Sequence, residues 1–136
     1  MAISYKIFPN ERLIRVSATG IVRAKDMHDF VDALVADPAL EPRLRVLYDT
    51  RYSDPDIPVL QLAEIAGRLQ RLMDRGALRI AMVAESKTAT RMAKTFAVLA
   101  RALGTDIEVF TDIHAAEAWL QDARGMTDTE ETPLPS

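Results

Sequence analysis

From residue 43 onward the chain alternates short apolar runs of strand length with longer segments of helical period. "RLRVLYD" (43–49) is followed by "VLQLAEIAGRLQRLMDRG" (59–76), "LRIAMVA" (78–84) by "TRMAKTFAVLARALG" (90–104), and "DIEVF" (106–110) by "TDIHAAEAWLQDA" (111–123). Leu62, Ile65, Leu69, Leu72 and Met73 fall on one side of the first helical segment; Met92, Phe96, Leu99 and Leu103 fall in register on the second. Strands separated by helices cannot form tight hairpins. They pair in parallel through right-handed crossovers, which leaves few arrangements open. "LRIAMVA" is apolar without alternation, as expected of a strand covered on both faces. Gly76 stands where a helix closes through a left-handed residue, and Gly104 reads as the stop of the next helix.

The first forty residues complete the pattern. "SYKIF" (4–8) and "RLIRVSA" (12–18), split by Pro9-Asn10-Glu11, read as an antiparallel hairpin. Gly20 is expected to break the chain. "AKDMHDFVDALVADP" (24–38) carries Met27, Phe30, Val31, Leu34 and Val35 at one-face helical spacing and ends at Pro38. The order β-β-α-β-α-β-α-β-α predicts one α/β domain, with a mixed, mostly parallel sheet of about five strands and about four helices.

A chain of 136 residues suits one core. The net charge of −3 argues against a general nucleic-acid binder, which needs a basic face. With no cysteine, the chain has no disulfide, thiolate metal site or thiol nucleophile, and a reducing cytoplasm is the expected location. "MAISYKIFPNERL" has no apolar core of a secretory signal. No apolar run approaches the roughly 20 residues that span a bilayer. The domain is expected over 1–122, and the acidic, proline-bearing end (123–136) reads as a disordered tail.

Ligands of open α/β sheets sit outside the carboxyl ends of the parallel strands. Three expected loops leave that edge: 49–58, 84–89 and 110–114. The first offers Asp49, Arg51 and Ser53 as candidate ligand-binding residues; the second offers Ser86, Lys87 and Thr88 at a helix start, where free backbone N–H groups attract anions. Capping alone also explains Ser86. Asp49 ends a strand, as phosphoacceptors and Mg²⁺ ligands do, but the second aspartate of the haloacid-dehalogenase pattern is replaced by Arg51. His28 and His114 lie in different helices without a partner at ligand spacing, so neither metal nor cofactor is expected. Arg68, Arg71 and Arg75 form a stripe read as a solvated face.

Pro55 and Pro58 each remove a backbone donor, so 53–58 is expected to add little to a sheet and to act as a hinge, with Asp56 capping the next helix. That helix has more apolar residues than one stripe needs. Val59, Leu60 and Ala63 are the surplus, and they point to a second contact: another subunit, an apolar ligand beneath a raised helix, or neighbours within the domain.

"YKIF…RLIRVSATGIVRAKDMHDFVDAL", "RVLYDTR", "RIAMVAESKTATRMAKTFAVLA" and "IEVFTDIHAAEAWL", with the Ala116-x-x-Trp119-Leu120 ending, resemble the SpoIIAA-like family of STAS-type domains. The resemblance covers the chain to about residue 122 and implies a SpoIIAA-like (STAS) topology, also similar to CRAL-TRIO lipid-transfer domains. Anti-sigma-factor antagonists of that type carry a phosphorylated hydroxyl in an Asp-Ser-Ser/Thr-Gly motif. The matching position here is Asp56-Ile57-Pro58-Val59, without hydroxyl or glycine, so Ser53 is not expected to be a kinase switch. The resemblance implies a non-enzymatic regulatory or binding module that recognises a protein partner or a small apolar or anionic ligand, with a homodimer as one form of partner. The alternative is an enzyme or phosphoacceptor centred on Asp49.

Overall fold

In the computed structural model, which describes residues 2–77 and 79–121, five strands form one sheet in the order β1-β2-β3-β4-β5. The strands are β1 (Ile3–Phe8), β2 (Leu13–Val22), β3 (Arg45–Pro55), β4 (Ile80–Val83) and β5 (Ile107–Phe110). The helices are α1 (Ala24–Ala36), α2 (Val59–Asp74), α3 (Lys87–Ala102) and α4 (Ile113–Gln121). β1 pairs antiparallel with β2, and every other neighbouring pair is parallel. The α/β architecture and the antiparallel edge are those the periodicity predicts. The expected tail at 123–136 lies outside the described residues.

Alternation of side chains along the strands assigns two faces. Ile14, Val16, Ala18, Val46, Tyr48, Ile80, Met82 and Ile107 face the layer of α1, α2 and α3 and form the main core. Leu13, Leu47, Ala81 and Val83 face α4, which covers them with Ala116 and Leu120. α4 covers only part of its face: Thr19, Ile21, Tyr52 and Asp54 beyond it are exposed.

α2 buries Leu62, Ile65, Ala66, Leu69 and Leu72, as its period predicts. α3 turns Phe96 and the partly buried Met92 and Leu99 to the core, as its period predicts, and departs from expectation in the rest. Its buried face is mostly alanine (Ala89, Ala93, Ala97, Ala100, with Phe96), while Leu103, just past the helix, is half exposed. Gly76 closes α2 at φ +99°, and a Cβ there would stand 2.9 Å from Pro42 Cα, so glycine is required twice over.

Three expectations for the middle of the chain are corrected. Gly20 does not break β2; at φ +70° it is accommodated inside a strand that runs on to Val22. β3 does not end at Asp49. It continues to Pro55, with Tyr52, Ser53, Asp54 and Pro55 opposite Thr19, Gly20, Ile21 and Val22, and Asp56 N–H donates to Val22 O at 2.8 Å. The segment 53–58 is therefore largely ladder rather than hinge. Pro55 is compatible with it because alternation turns its missing donor away from β2, on the side where β4 has already ended at Val83. Asp56 does not cap α2: the N-cap is Pro58, with no side-chain cap hydrogen bond.

Candidate functional site: a cavity at the carboxyl ends of the strands

Between Asp49 and Tyr52 the β2–β3 register slips. Ser17 stands opposite Asp49 but Thr19 stands opposite Tyr52, so β3 carries one extra residue, a β-bulge. Asp49 and Arg51 bracket it. Asp49 Oδ1 accepts from Arg51 N–H at 3.0 Å and Nε at 2.9 Å, and Oδ2 accepts from an Arg51 terminal nitrogen at 2.9 Å. Burial pushes the Asp49 carboxyl up, but hydrogen bonds from the Arg51 side chain and backbone, with the guanidinium charge, outweigh it and hold the group below its ordinary value. Arg51 lies over the Tyr52 ring, 5.2 Å from its centroid, and feels the charge of Glu85 at the end of β4. On the other side of the bulge Ser53 Oγ donates to Thr50 O at 2.9 Å, and the buried Thr50 hydroxyl donates to Val83 O at 2.8 Å.

The structure therefore divides the six sequence candidates into three groups. Asp49 and Arg51 form the latch across the bulge. Ser53 faces the helix layer. Ser86, Lys87 and Thr88 are exposed at the start of α3, where Ser86 Oγ accepts from Ala89 N–H at 3.0 Å as an N-cap. The arginine stripe of α2 is not merely solvated: Arg68 and Arg71 both reach Asp32 of α1, at 3.3 and 2.7 Å, and Arg75 donates to Val35 O. The C-terminal half of α2 is tied to α1 in this way. Its first turn, starting at an uncapped Pro58, exposes Val59 (62%) and Leu60 (82%).

Beneath that first half of α2, at the carboxyl ends of β3 and β4, lies an apolar cavity of about 50 Å³. Its walls are Val22 of β2, Met27 of α1, Tyr48 to Pro55 of β3 in part, Ile57, Leu62 and Ile65 under α2, Met82 of β4, and Ala89, Met92, Ala93 and Phe96 of α3. Three wall residues carry hydroxyls, and all three are engaged: Thr50 and Ser53 as above, and Tyr48, whose OH donates to the Met27 sulfur at 3.1 Å. Burial holds the Tyr48 phenol well above its ordinary pKa, with the Asp26 charge adding to the effect. The Tyr48 ring stacks on Phe30 with centroids 6.2 Å apart. A second void of about 30 Å³ lies deeper under α2, and it shares the walls Met27, Tyr48, Met82 and Phe96 with the first.

Sequence reasoning found Ser53 among these residues and missed the methionines and alanines. A signal was present. Alanines at 89, 93, 97 and 100 give α3 a buried face too small to fill the space above a sheet, and methionine is the residue that lines irregular, adaptable gaps. Among the described residues no group of acidic or histidine side chains could hold a metal ion, and no helix is long and apolar enough to cross a membrane.

The SpoIIAA-like family profile matches residues 13–121, which is the whole sheet from β2 onward and all four helices. The chain belongs to the SpoIIAA-like family. Its fold is also similar to the crystal structure of an uncharacterised protein with a SpoIIAA-like fold from Shewanella loihica PV-4, with a TM-score of 0.57 and 16% identity over 88% of this chain and 92% of that one. At that identity the likeness speaks for the fold alone. No curated protein matches the chain. In this SpoIIAA-like domain the residues matched by the profile include every wall of the cavity.

Proposed function

We propose that this SpoIIAA-like domain is a non-enzymatic binding module of STAS type that takes up an apolar ligand in the cavity beneath α2. The carrying observation is the cavity itself: it sits at the carboxyl ends of the parallel strands, and every hydroxyl on its walls already has a partner. Such a space rewards apolar surface and offers no free group to orient a polar ligand. Its volume of about 50 Å³ is well under the ~150 Å³ that admits benzene, so uptake requires α2 to lift. The gradient along α2 favours this: arginines hold its second half to α1, while its first turn is uncapped and exposed.

Hydrogen exchange on ligand-free protein tests the reading, because locally opening segments exchange faster than the core. Peptides covering 59–74 are expected to exchange faster than those covering 90–103, and dodecanoate is expected to slow the former and to appear as a one-to-one adduct in native mass spectra. Equal, near-global protection of both helices with no adduct would overturn it.

The exposed Val59 and Leu60 also support a second reading, in which a protein partner or another copy of the chain covers the start of α2. Sedimentation of wild type against Leu60→Asp tests it: a dimer lost in the variant supports the copy, and a monomer in both excludes it. The enzymatic alternative at Asp49 gains less support, because Arg51 occupies both carboxylate oxygens.

A further inference from the structure

Seven cationic side chains are tied down in ion pairs: Arg15 to Glu117, Lys25 to Asp29, Arg51 to Asp49, Arg68 and Arg71 to Asp32, Arg79 to Asp106 and Arg101 to Glu108. Lys87, Arg91 and Lys94 are not, and they stand together. All three are exposed, stand at i, i+4 and i+7 on the outer face of α3, and make no ion pair among the described residues. They line a shallow open groove with Glu85, Thr90, Thr95 and Val98, so the groove carries three cations against one carboxylate, which lies at its Lys87 end. The first turn of α3 has no acidic residue, so the positive end of the helix dipole adds to their field. In a chain of net charge −3 this is a local excess of positive charge.

We propose that this stripe is a docking surface for an extended acidic segment of a partner protein, with carboxylates at alternate positions. Along the helix, Lys87 and Arg91 are about 6 Å apart and Arg91 and Lys94 about 4.5 Å. Side chains two apart on one side of an extended chain are about 6.7 Å apart, a spacing that long, flexible lysine and arginine side chains can meet. Thr90, between the cations, can bond the backbone of such a segment. The stripe does not suit a membrane surface, where a helix must present a broad apolar face beside its cations: the apolar residues of α3 point inward, and Val98 alone among large apolar residues lies in the groove. Nor does it suit nucleic acid, for which three cations without an aromatic residue are too few. This surface lies outside the cavity beneath α2 and is independent of the function proposed for it.

Fluorescence anisotropy of a labelled Glu-Thr-Glu-Thr-Glu peptide with the full chain at low salt tests the proposal. The triple variant K87Q/R91Q/K94Q should bind about tenfold more weakly, the middle of the range expected for three exposed ion pairs. Lys25→Gln on α1 should bind as wild type does, and raising the salt should weaken wild-type binding. Unchanged affinity in the triple variant, or equal binding of the same charges in a Glu-Glu-Glu-Thr-Thr peptide, would overturn it. So would triple-variant-sensitive binding to phosphatidylserine vesicles without any binding of the peptide.

Discussion

Truncating Leu62 tests whether the space under α2 is a real cavity with adaptable walls. Leu62 is 4% exposed and forms part of the cavity lid. Leu62→Ala removes three carbons, a transfer loss of about 2.4 kcal/mol at ~0.8 kcal/mol per buried methylene. If Met27, Met82 and Met92 move in and fill the gap, little is added. If they do not, the enlarged void approaches the ~150 Å³ that admits benzene, and roughly 100 Å³ of new cavity at ~24 cal/mol per Å³ adds about 2.4 kcal/mol more. The expected destabilisation is thus about 2.4–5 kcal/mol, or a fall in Tm of at least about 7 °C at ~3–6 °C per kcal/mol for a domain of this size. Leu60→Ala, at a site 82% exposed, serves as the control and should stay within about 0.5 kcal/mol. Thermal melts followed by circular dichroism, with and without saturating benzene, read both quantities. Benzene should raise the Tm of Leu62→Ala in the unfilled case, by mass action on the folded state, and by more than it raises that of wild type, where α2 must lift first. A loss below about 1 kcal/mol, or a wild-type response to benzene equal to that of the variant, would refute the packing described for Leu62.

Two further outcomes follow from the polar groups. Asp49→Ala should cost about 1–3 kcal/mol at neutral pH, the range for hydrogen bonds to charged groups that lose a partner. Because the folded-state pKa of Asp49 is depressed, its contribution is present above the unfolded pKa and is lost as pH falls through the folded one; denaturant melts of wild type and variant should therefore converge in acid, and a gap that persists there would contradict the latch. Burial and the hydrogen bond to Asp37 push Tyr5 up to about 12. Its contribution to stability is present below the unfolded pKa and lost as pH rises through about 12, and Tyr5→Phe should remove that late component from the absorbance titration at 295 nm.

The elements that periodicity could reach are those in which one residue type repeats over a whole face. α2 and β4 are clear in the sequence because Leu62, Ile65, Leu69 and Leu72, or four consecutive buried positions, leave little alternative. α3 is legible only in part: Met92, Phe96 and Leu99 face the core as their spacing predicts, but most of its fully buried positions are alanine, which periodicity hardly weighs, and Leu103 sits at its rim. The continuation of β3 was hidden by composition. Asp, Arg, Ser and two prolines read as a loop, but half of these side chains face solvent on the part of the sheet that α4 leaves open, and Pro55 sits on an unpaired edge. The cavity could not be read at all, since it depends on which residues from six separate elements meet.

The bulge joins these observations. Without the extra residue, alternation would carry on from Asp49 so that residue 51 stood opposite Thr19 and residue 53 opposite Ile21. Tyr52 and Asp54 would then point into the helix layer. A tyrosine there would more than fill a space of about 50 Å³, and an aspartate would bring a carboxylate into an apolar wall. The extra residue exchanges the faces: Tyr52 and Asp54 go to solvent, and Ser53 and Pro55, both small, take their places in the wall. The Asp49–Arg51 latch spans the slip and ties the backbone N–H of Arg51 to the same carboxylate, so it favours the bulged register over the regular one. The polar residues that make this stretch resemble a reaction centre therefore have a structural role. They set the phase of β3, and that phase keeps open the apolar space beneath α2.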